Sequence, residues 1–482
     1  MPQRIILYEL NEVPWQIVDL YIASRPHSTL AKALPRSLAL TTICADPAPL
    51  QPWRTWPDLH TSMYTPDHNS YDLGQDPTTF RGDQIWNVAD RAGRIVGIFG
   101  PMQSWPPKQF TSGGFYVPDT FARTSSTIPR SLERFQQFNL DMTRENTFSP
   151  ERAVSFPSLA GVGVDLFRQG LTWRSAAMLS RHLLNEMRDH RHQASRSTMQ
   201  ALPSFDLFWR LHRKHSPNLS IFFTNHVAGM MHRYWGDGVP GYTSAAAYLA
   251  DPVYAGFVTN AMDIFDLHLA TILNWAENQP DITVVVASSM GQGAIDKGNV
   301  DETFVLDDPL RLGRLLGFDA EVGSAMYPRT SYMLEDAQGA VAAAEAVSSI
   351  QSSGTPLFED ARIVGRSLSF AIDQGAWERT QNRTVTYTRV DATDARGDVA
   401  DLGVTIRRRM GGGNTAYHTP EGIFLVWGTR ITPDSSRTPV SLLDAAPSIL
   451  QALDVAIPAS YQGSTSINLS GASNDRQTRL DT

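Results

Sequence analysis

Short apolar, β-branched runs recur along the chain and alternate with stretches whose apolar residues fall three and four apart. The first kind predicts strands over Ile5 to Leu10, Ile95 to Phe99, Leu219 to Thr224, Ile282 to Ser288 and Ile423 to Trp427. The second predicts helices over Gln84 to Ala92, Ser204 to His212 and Val258 to Trp275, because a helix brings residues three and four apart onto one face. A run that is apolar at every position belongs to a strand covered on both faces. Strand then helix, repeated, therefore predicts an α/β fold with a mostly parallel central sheet flanked by helices. In such sheets sites form just past the carboxyl ends of the strands, so the residues that follow each run are where chemistry is expected.

Two regions break the rhythm. From about Ser149 to Gln200 the chain is helix-rich and basic, with Arg181, His182, Arg188, His190, Arg191 and His192 close together. A solvated helical face is the ordinary explanation of such a cluster. From about Asp301 to Gly403 the alternation is lost while apolar residues persist, among them the amphipathic stretch Ala340 to Ile350. The expected organisation is an α/β core over 1–300 and 404–473, a helical insert at 149–200, a cap subdomain over 301–403 and a flexible polar tail over 474–482.

Composition narrows the function classes. The 482 residues, 42% of them hydrophobic, suffice for a large core, and a net charge of -8 argues against a nucleic-acid polymer as partner. No apolar run is long enough for a membrane span, and Met1 to Leu10 lacks the succession of a secretory signal. The one cysteine, Cys44, excludes an internal disulfide, fits a reducing compartment and reads as a small buried filler. A cytoplasmic location is the expectation, and the pattern leaves the oligomeric state open.

The strand ends hold the candidate chemistry. The run Ile282 to Ser288 stops at Ser288, Ser289, Met290 and Gly291, and the first strand ends in Glu9, Leu10, Asn11 and Glu12. Strand alternation puts Glu9 and Asn11 on one face, against the simpler reading of a solvated acidic turn. Arg407, Arg408 and Arg409 precede Gly411, Gly412, Gly413 and Asn414; a basic strand followed by a flexible hairpin accounts for them better than an anion site, since the glycines lack a phosphate-loop pattern.

Several segments together resemble the type I phosphodiesterase/nucleotide pyrophosphatase group of the alkaline phosphatase superfamily. They are Arg4 to Glu12 (RIILYELNE), Pro52 to Pro57 (PWRTWP) with the following Ser62 to His68, Gln84 to Met102, Phe222 to Trp235, His418 to Gly428, and Leu443 to Leu450 with Pro458 and Gly463. The resemblance spans most of the chain outside the two interruptions. It implies an alkaline phosphatase-like fold, phosphoryl-transfer chemistry and Thr55 as nucleophile. It also implies two metal ions, one held by an Asp and two His, the other by two Asp, one His and the Thr.

Matched residue by residue, the ligands are eroded. Asn11 stands where the first strand normally ends in a metal-binding Asp, Ser289 and Met290 stand in place of Asp and His, and Ala228 in place of Asp; Thr55, His232 and His418 remain. Ser and Met are poor ligands for a hard divalent ion, so the match implies at most one ion, Zn²⁺ or Mn²⁺, or none. His232 and His418 are its expected ligands, with Glu9, Glu12, Asn225 or His226 as residues that have moved into the gap. For His226 a hydrogen-bonded core histidine and a relocated ligand weigh evenly, and Asn225 is read first as the cap of a helix that starts there. His232 doubles as an acid/base candidate, Asn11 as a hydrogen-bond donor to an anionic group, and Arg54, Glu9, Glu12 and Ser289 as substrate contacts. An exposed or ion-paired Arg54 is equally consistent with the sequence.

Three functions follow: a divergent hydrolase or transferase acting on a phosphate or related ester of a small molecule of sugar or nucleotide type, a pseudoenzyme that binds such a ligand without turnover, and a metal-free enzyme of changed chemistry. The ligand losses weigh against ordinary two-metal chemistry. The polar set Glu9, Asn11, Glu12, Thr55, His226, His232 and His418 has not become apolar filler, which weighs for a working site.

Overall fold

The computed structural model describes residues 3–148, 166–244, 248–296, 302–380, 384–408 and 413–470. The tail at 474–482, the start of the insert at 149–165, and Arg409, Gly411 and Gly412 lie outside the described residues.

The centre is an eight-stranded sheet. Its strands are β1 (Arg4–Leu10), β2 (Leu38–Ile43), β3 (Val96–Phe99), β4 (Gly114–Val117), β5 (Leu219–Thr224), β6 (Ile282–Ala287), and two later ones, Glu421–Trp427 and Asp434–Ser441. Across the sheet the order is Asp434–Ser441, β2, Glu421–Trp427, β6, β1, β5, β3, β4. Only Glu421–Trp427 runs against its neighbours β2 and β6; every other pairing is parallel. This is the α/β fold with a mostly parallel, helix-flanked sheet that the alternation of runs predicts.

The period-two geometry of β1 explains why both faces are apolar. Ile5 and Leu7 join a buried cluster with the helices Pro52–Thr61, Ile85–Arg91 and Ala445–Ala452, while Ile6, Tyr8 and Leu10 join another with the helices Trp15–Ser24, Ala201–His215, His226–Gly238 and Phe257–Ala276. Each such aliphatic side chain contributes about 1.5–3 kcal/mol when fully buried. The register Leu10 opposite Thr224 and Glu9 opposite Ala287 aligns the carboxyl ends of β1, β5 and β6 on one edge.

From Glu302 the chain builds a separate apolar cluster. The amphipathic stretch Ala340 to Ile350 forms the helix Ala337–Ser348, packed on an antiparallel sheet of Glu321–Gly323, Arg329–Met333, Phe358–Val364 and Ser367–Ile372. Charged contacts fix this unit to the core: Arg329 and Arg362 lie 3.5 and 3.4 Å from Asp72, and Arg366 lies 3.2 Å from Asp76. Between them a Cβ on Gly74 would meet the Ser324 carbonyl at 2.5 Å, so the two parts touch backbone to backbone. In the basic region, Trp173–Arg188 is one helix.

Candidate functional site

The end of β1 is pinned to the end of β6. The Ser288 hydroxyl donates to the Leu10 carbonyl and accepts the Val13 amide at 3.2 Å. Between them Glu12 adopts φ +61°, the left-handed region that non-glycine residues seldom occupy, while 1% exposed. Such local strain persists where surrounding contacts over-determine it, and at Glu12 those contacts are polar.

Each carboxylate oxygen of Glu12 is engaged. Oε1 accepts Nδ2 of Asn11 at 2.8 Å. Oε2 accepts Nε2 of Gln292 and faces Nε2 of His232 at 2.9 Å and Nε2 of His418 at 3.4 Å. His232 comes from the helix His226–Gly238. His418 comes from the strand Ala416–Thr419, which pairs antiparallel with Gly291–Ala294 and sets His418 opposite Gln292. The chain passes tightly here, since a Cβ on Gly291 would lie 2.1 Å from the Glu421 carbonyl.

The far sides of the two rings fix their chemistry. Nδ1 of His232 is 3.1 Å from the Ala416 carbonyl, and Nδ1 of His418 is 2.9 Å from the Leu50 carbonyl. A carbonyl only accepts, so each Nδ1 carries the proton and each Nε2 points at Glu12 with a lone pair or a second proton. Burial alone pushes the Glu12 carboxyl up, but the charges of His418 and His232 outweigh it and hold the group well below the usual carboxylate range. For His418, burial is likewise outweighed by the Glu12 charge, and its pKa is raised. Protons and a divalent cation compete for these atoms.

The three ligand atoms lie within 4.8 Å of one another. Two imidazoles and a carboxylate, oriented from behind by main-chain carbonyls, fit Zn²⁺ or Mn²⁺. A second grouping, Asp46, Asp58 and His68, is equally compact but has the opposite wiring. Nδ1 of His68 accepts the Ser70 amide at 3.0 Å, so Nε2 carries the proton and donates to Asp58 at 2.7 Å. Burial and then the Asp46 charge push Asp58 well up. That trio is a hydrogen-bonded support and offers no imidazole lone pair.

Thr55 lies inside the helix Pro52–Thr61, fully buried, its Oγ1 2.8 Å from Oγ of Ser289. The next residue, Trp56, donates from Nε1 to Oδ1 of Asn11 at 2.7 Å, and Nδ2 of Asn11 also reaches Oδ1 of Asn225 at 2.6 Å. Asn11 thus joins the Thr55 helix to the Glu12 cluster. Met290 is buried beside Ser289.

Other expected residues are placed elsewhere. His226 has both nitrogens occupied: Nε2–H donates to the Ala261 carbonyl at 3.1 Å and Nδ1 accepts from Thr224 at 2.7 Å. Glu9 is fully buried against His60, Oε1 to Nε2 at 2.6 Å. Arg54 donates from Nε to the Tyr71 carbonyl at 3.1 Å and from Nη1 to the Pro49 carbonyl at 3.2 Å, and lies over the Tyr71 ring. Arg407 pairs with Asp307. Cys44 is buried, its thiol 3.7 Å from Asp58 and its pKa raised, chiefly by burial. Asn225 occupies the N-cap position of the helix His226–Gly238, as the sequence reading has it, but its side chain makes no cap bond; its Oδ1 accepts from Asn11 instead. Gln292 went unnoticed in the sequence, and its place directly after the Ser-Ser-Met-Gly turn was the available signal.

Comparison with known proteins gives no matching family model and no matching curated protein. Among solved structures, the chain is similar to murine ectonucleotide pyrophosphatase/phosphodiesterase 5, at 12% identity over 96% of this chain and 98% of that one, TM-score 0.44. It is similar to the alkaline phosphatase PafA at 11% identity over 97% and 98%, TM-score 0.48. It is also similar to phosphonoacetate hydrolase from Sinorhizobium meliloti 1021, at 14% identity over 94% and 96%, TM-score 0.41. At such identities the likeness concerns fold, and the chemistry has to be argued from the residues.

Proposed function

We propose that this chain is a divergent phosphoester hydrolase or transferase. In this reading it acts on a small phosphorylated molecule of sugar or nucleotide type, with Thr55 as nucleophile and one divalent ion, Zn²⁺ or Mn²⁺, held by Glu12, His232 and His418. The supporting observation is the convergence of Nε2 of His232 and Nε2 of His418 on Oε2 of Glu12, with both Nδ1 atoms tied to main-chain carbonyls. When bound, such an ion supplies Lewis-acid polarisation of a phosphoryl oxygen and lowers the pKa of a neighbouring hydroxyl. The chain's own residues orient the reacting groups: Ser289 holds the Thr55 hydroxyl, and Asn11, fixed by Trp56 and Asn225, spaces the Thr55 helix from the ion ligands. Asn11, Ser289 and Met290 are poor substitutes for a second set of ligands, which supports one ion and not two.

The reading is tested with nitrophenyl phosphate mono- and diesters, using chain stripped with chelator and reloaded with Zn²⁺ or Mn²⁺. Turnover that requires the ion and is lost in Thr55→Ala is the expected result. Ion-independent turnover that survives in Thr55→Ala would contradict it.

One observation favours a second reading, a binder without turnover. The Thr55 hydroxyl is fully buried and bonded to another hydroxyl, that of Ser289, with no titratable side chain among its hydrogen-bond partners in the described residues. Saturable binding of a phosphorylated ligand by a loaded chain that leaves it intact would select this reading. A cytoplasmic location belongs to the same proposal, on the strength of the single cysteine; among the described residues no helix is long and apolar enough to cross a membrane.

A further inference from the structure

The helix Trp173–Arg188 turns an unusual face outward. Its inner side is accounted for: Ser175 and His182 are buried, and Met178 and Leu179 pack against Ala201, Leu202 and Ile264. The one acidic residue of the helix, Glu186, is also accounted for, 2.8 Å from His182 and 2.7 Å from Arg196.

What remains faces solvent in two adjoining stripes. Trp173, Leu184 and Met187, spaced by eleven and three residues, fall on one side of the helix, and they are 81%, 52% and 80% exposed. Phe167, itself 41% exposed, lies with its ring 4.9 Å from that of Trp173 and lengthens the apolar stripe. Arg174, Arg181 and Arg188 recur every seven residues along the neighbouring stripe, all exposed. Among the described residues, the outward face of this helix therefore combines large apolar side chains with positive charge, on a protein whose net charge is -8.

We infer that this helix is a docking surface for an anionic lipid bilayer, lying in the plane of the interface. A bilayer surface asks for these elements together: a Trp and aliphatic side chains that enter the boundary region, and arginines beside them whose stems reach past apolar surface to anionic headgroups. Charge selects this occupant over a second copy of the chain, since a face-to-face pair would set arginine stripes near each other with no acidic residue on the helix's outward face to answer them. Nothing in this inference depends on the Glu12 cluster or on turnover.

The test is co-sedimentation of the full chain with vesicles of phosphatidylcholine alone and of phosphatidylcholine mixed with phosphatidylglycerol. Binding is expected to the mixed vesicles, falling with added salt. Two variants separate the contributions. Arg174→Gln/Arg181→Gln/Arg188→Gln should lose about a hundredfold in partition, since each basic residue near such a surface is worth roughly a factor of five or more. Trp173→Ser/Met187→Ser should lose binding without changing the circular-dichroism spectrum. Absence of binding by the wild type, equal binding to both vesicle types, or undiminished binding by both variants would overturn the inference. So would a concentration-dependent dimer, formed without lipid, that Trp173→Ser/Met187→Ser abolishes.

Discussion

Nε2 of His232 lies 2.9 Å from Oε2 of Glu12, and Nδ1 across the same ring lies 3.1 Å from the Ala416 carbonyl. A histidine held this way has one nitrogen committed as donor and one free to meet a proton or a cation. His418 repeats the arrangement with the Leu50 carbonyl behind it. Glu12 thereby stands beside both histidines, facing the nitrogen that each has left uncommitted.

Thr55→Ala is expected to abolish turnover of phosphate esters while leaving ion binding close to wild type and the chain folded, at a cost of about 1–3 kcal/mol because the buried Ser289 hydroxyl loses its partner. Thr55→Ser should retain measurable turnover. Steady-state assay beside ion titration checks both, and equal rates in wild type and Thr55→Ala would remove Thr55 from the mechanism.

His226 makes a pH-dependent contribution to stability. Burial holds its pKa down at about 4, against the opposing effect of the Ala261 carbonyl. The unfolded chain takes up the proton more readily, so the contribution is complete above the ordinary histidine range and is lost as pH falls from about 6.5 towards about 4. Its size is about 3 kcal/mol. Urea unfolding at pH 7 and pH 5 should show a smaller pH-dependent loss in His226→Gln than in wild type; identical losses would contradict this.

The pair of Glu9 and His60 is a structural element on this account. Both side chains are fully buried, Oε1 of Glu9 2.6 Å from Nε2 of His60, and among the described residues Glu9 Oε2 and His60 Nδ1 have no hydrogen-bond partner. Removing one partner of such a pair leaves a buried polar group unanswered, at a cost of about 1–3 kcal/mol. Glu9→Ala and His60→Ala should each lower stability to denaturant by that order and leave ion stoichiometry unchanged. Loss of the ion with stability intact would place Glu9 in the site.

The fold was legible where a strand is apolar throughout. β1, β5 and β6 are covered by helices on both faces, and their boundaries agree with their runs to within a residue. Three strands of the central sheet escaped: Asp434–Ser441, a polar, largely exposed edge strand; β4, the opposite edge strand, which opens on Gly114; and β2, whose run is interrupted by two threonines. The site was legible only in part, for a related reason. Alternation puts Glu9 and Asn11 on one face of β1, yet it cannot say that His60 meets Glu9 or that Trp56 meets Asn11. Likewise the φ of Glu12, which turns it out of the strand pattern, is set by contacts with residues far along the chain.

The most direct test of the account is the number of ions held and the residues that hold them. Wild type stripped with chelator, reloaded with Zn²⁺ and analysed for bound metal should hold one ion per chain. Glu12→Gln, His232→Ala and His418→Ala should each lose it under the same wash, with circular dichroism showing a folded chain. Two tightly held ions in the wild type, or one ion retained in all three variants, would contradict it.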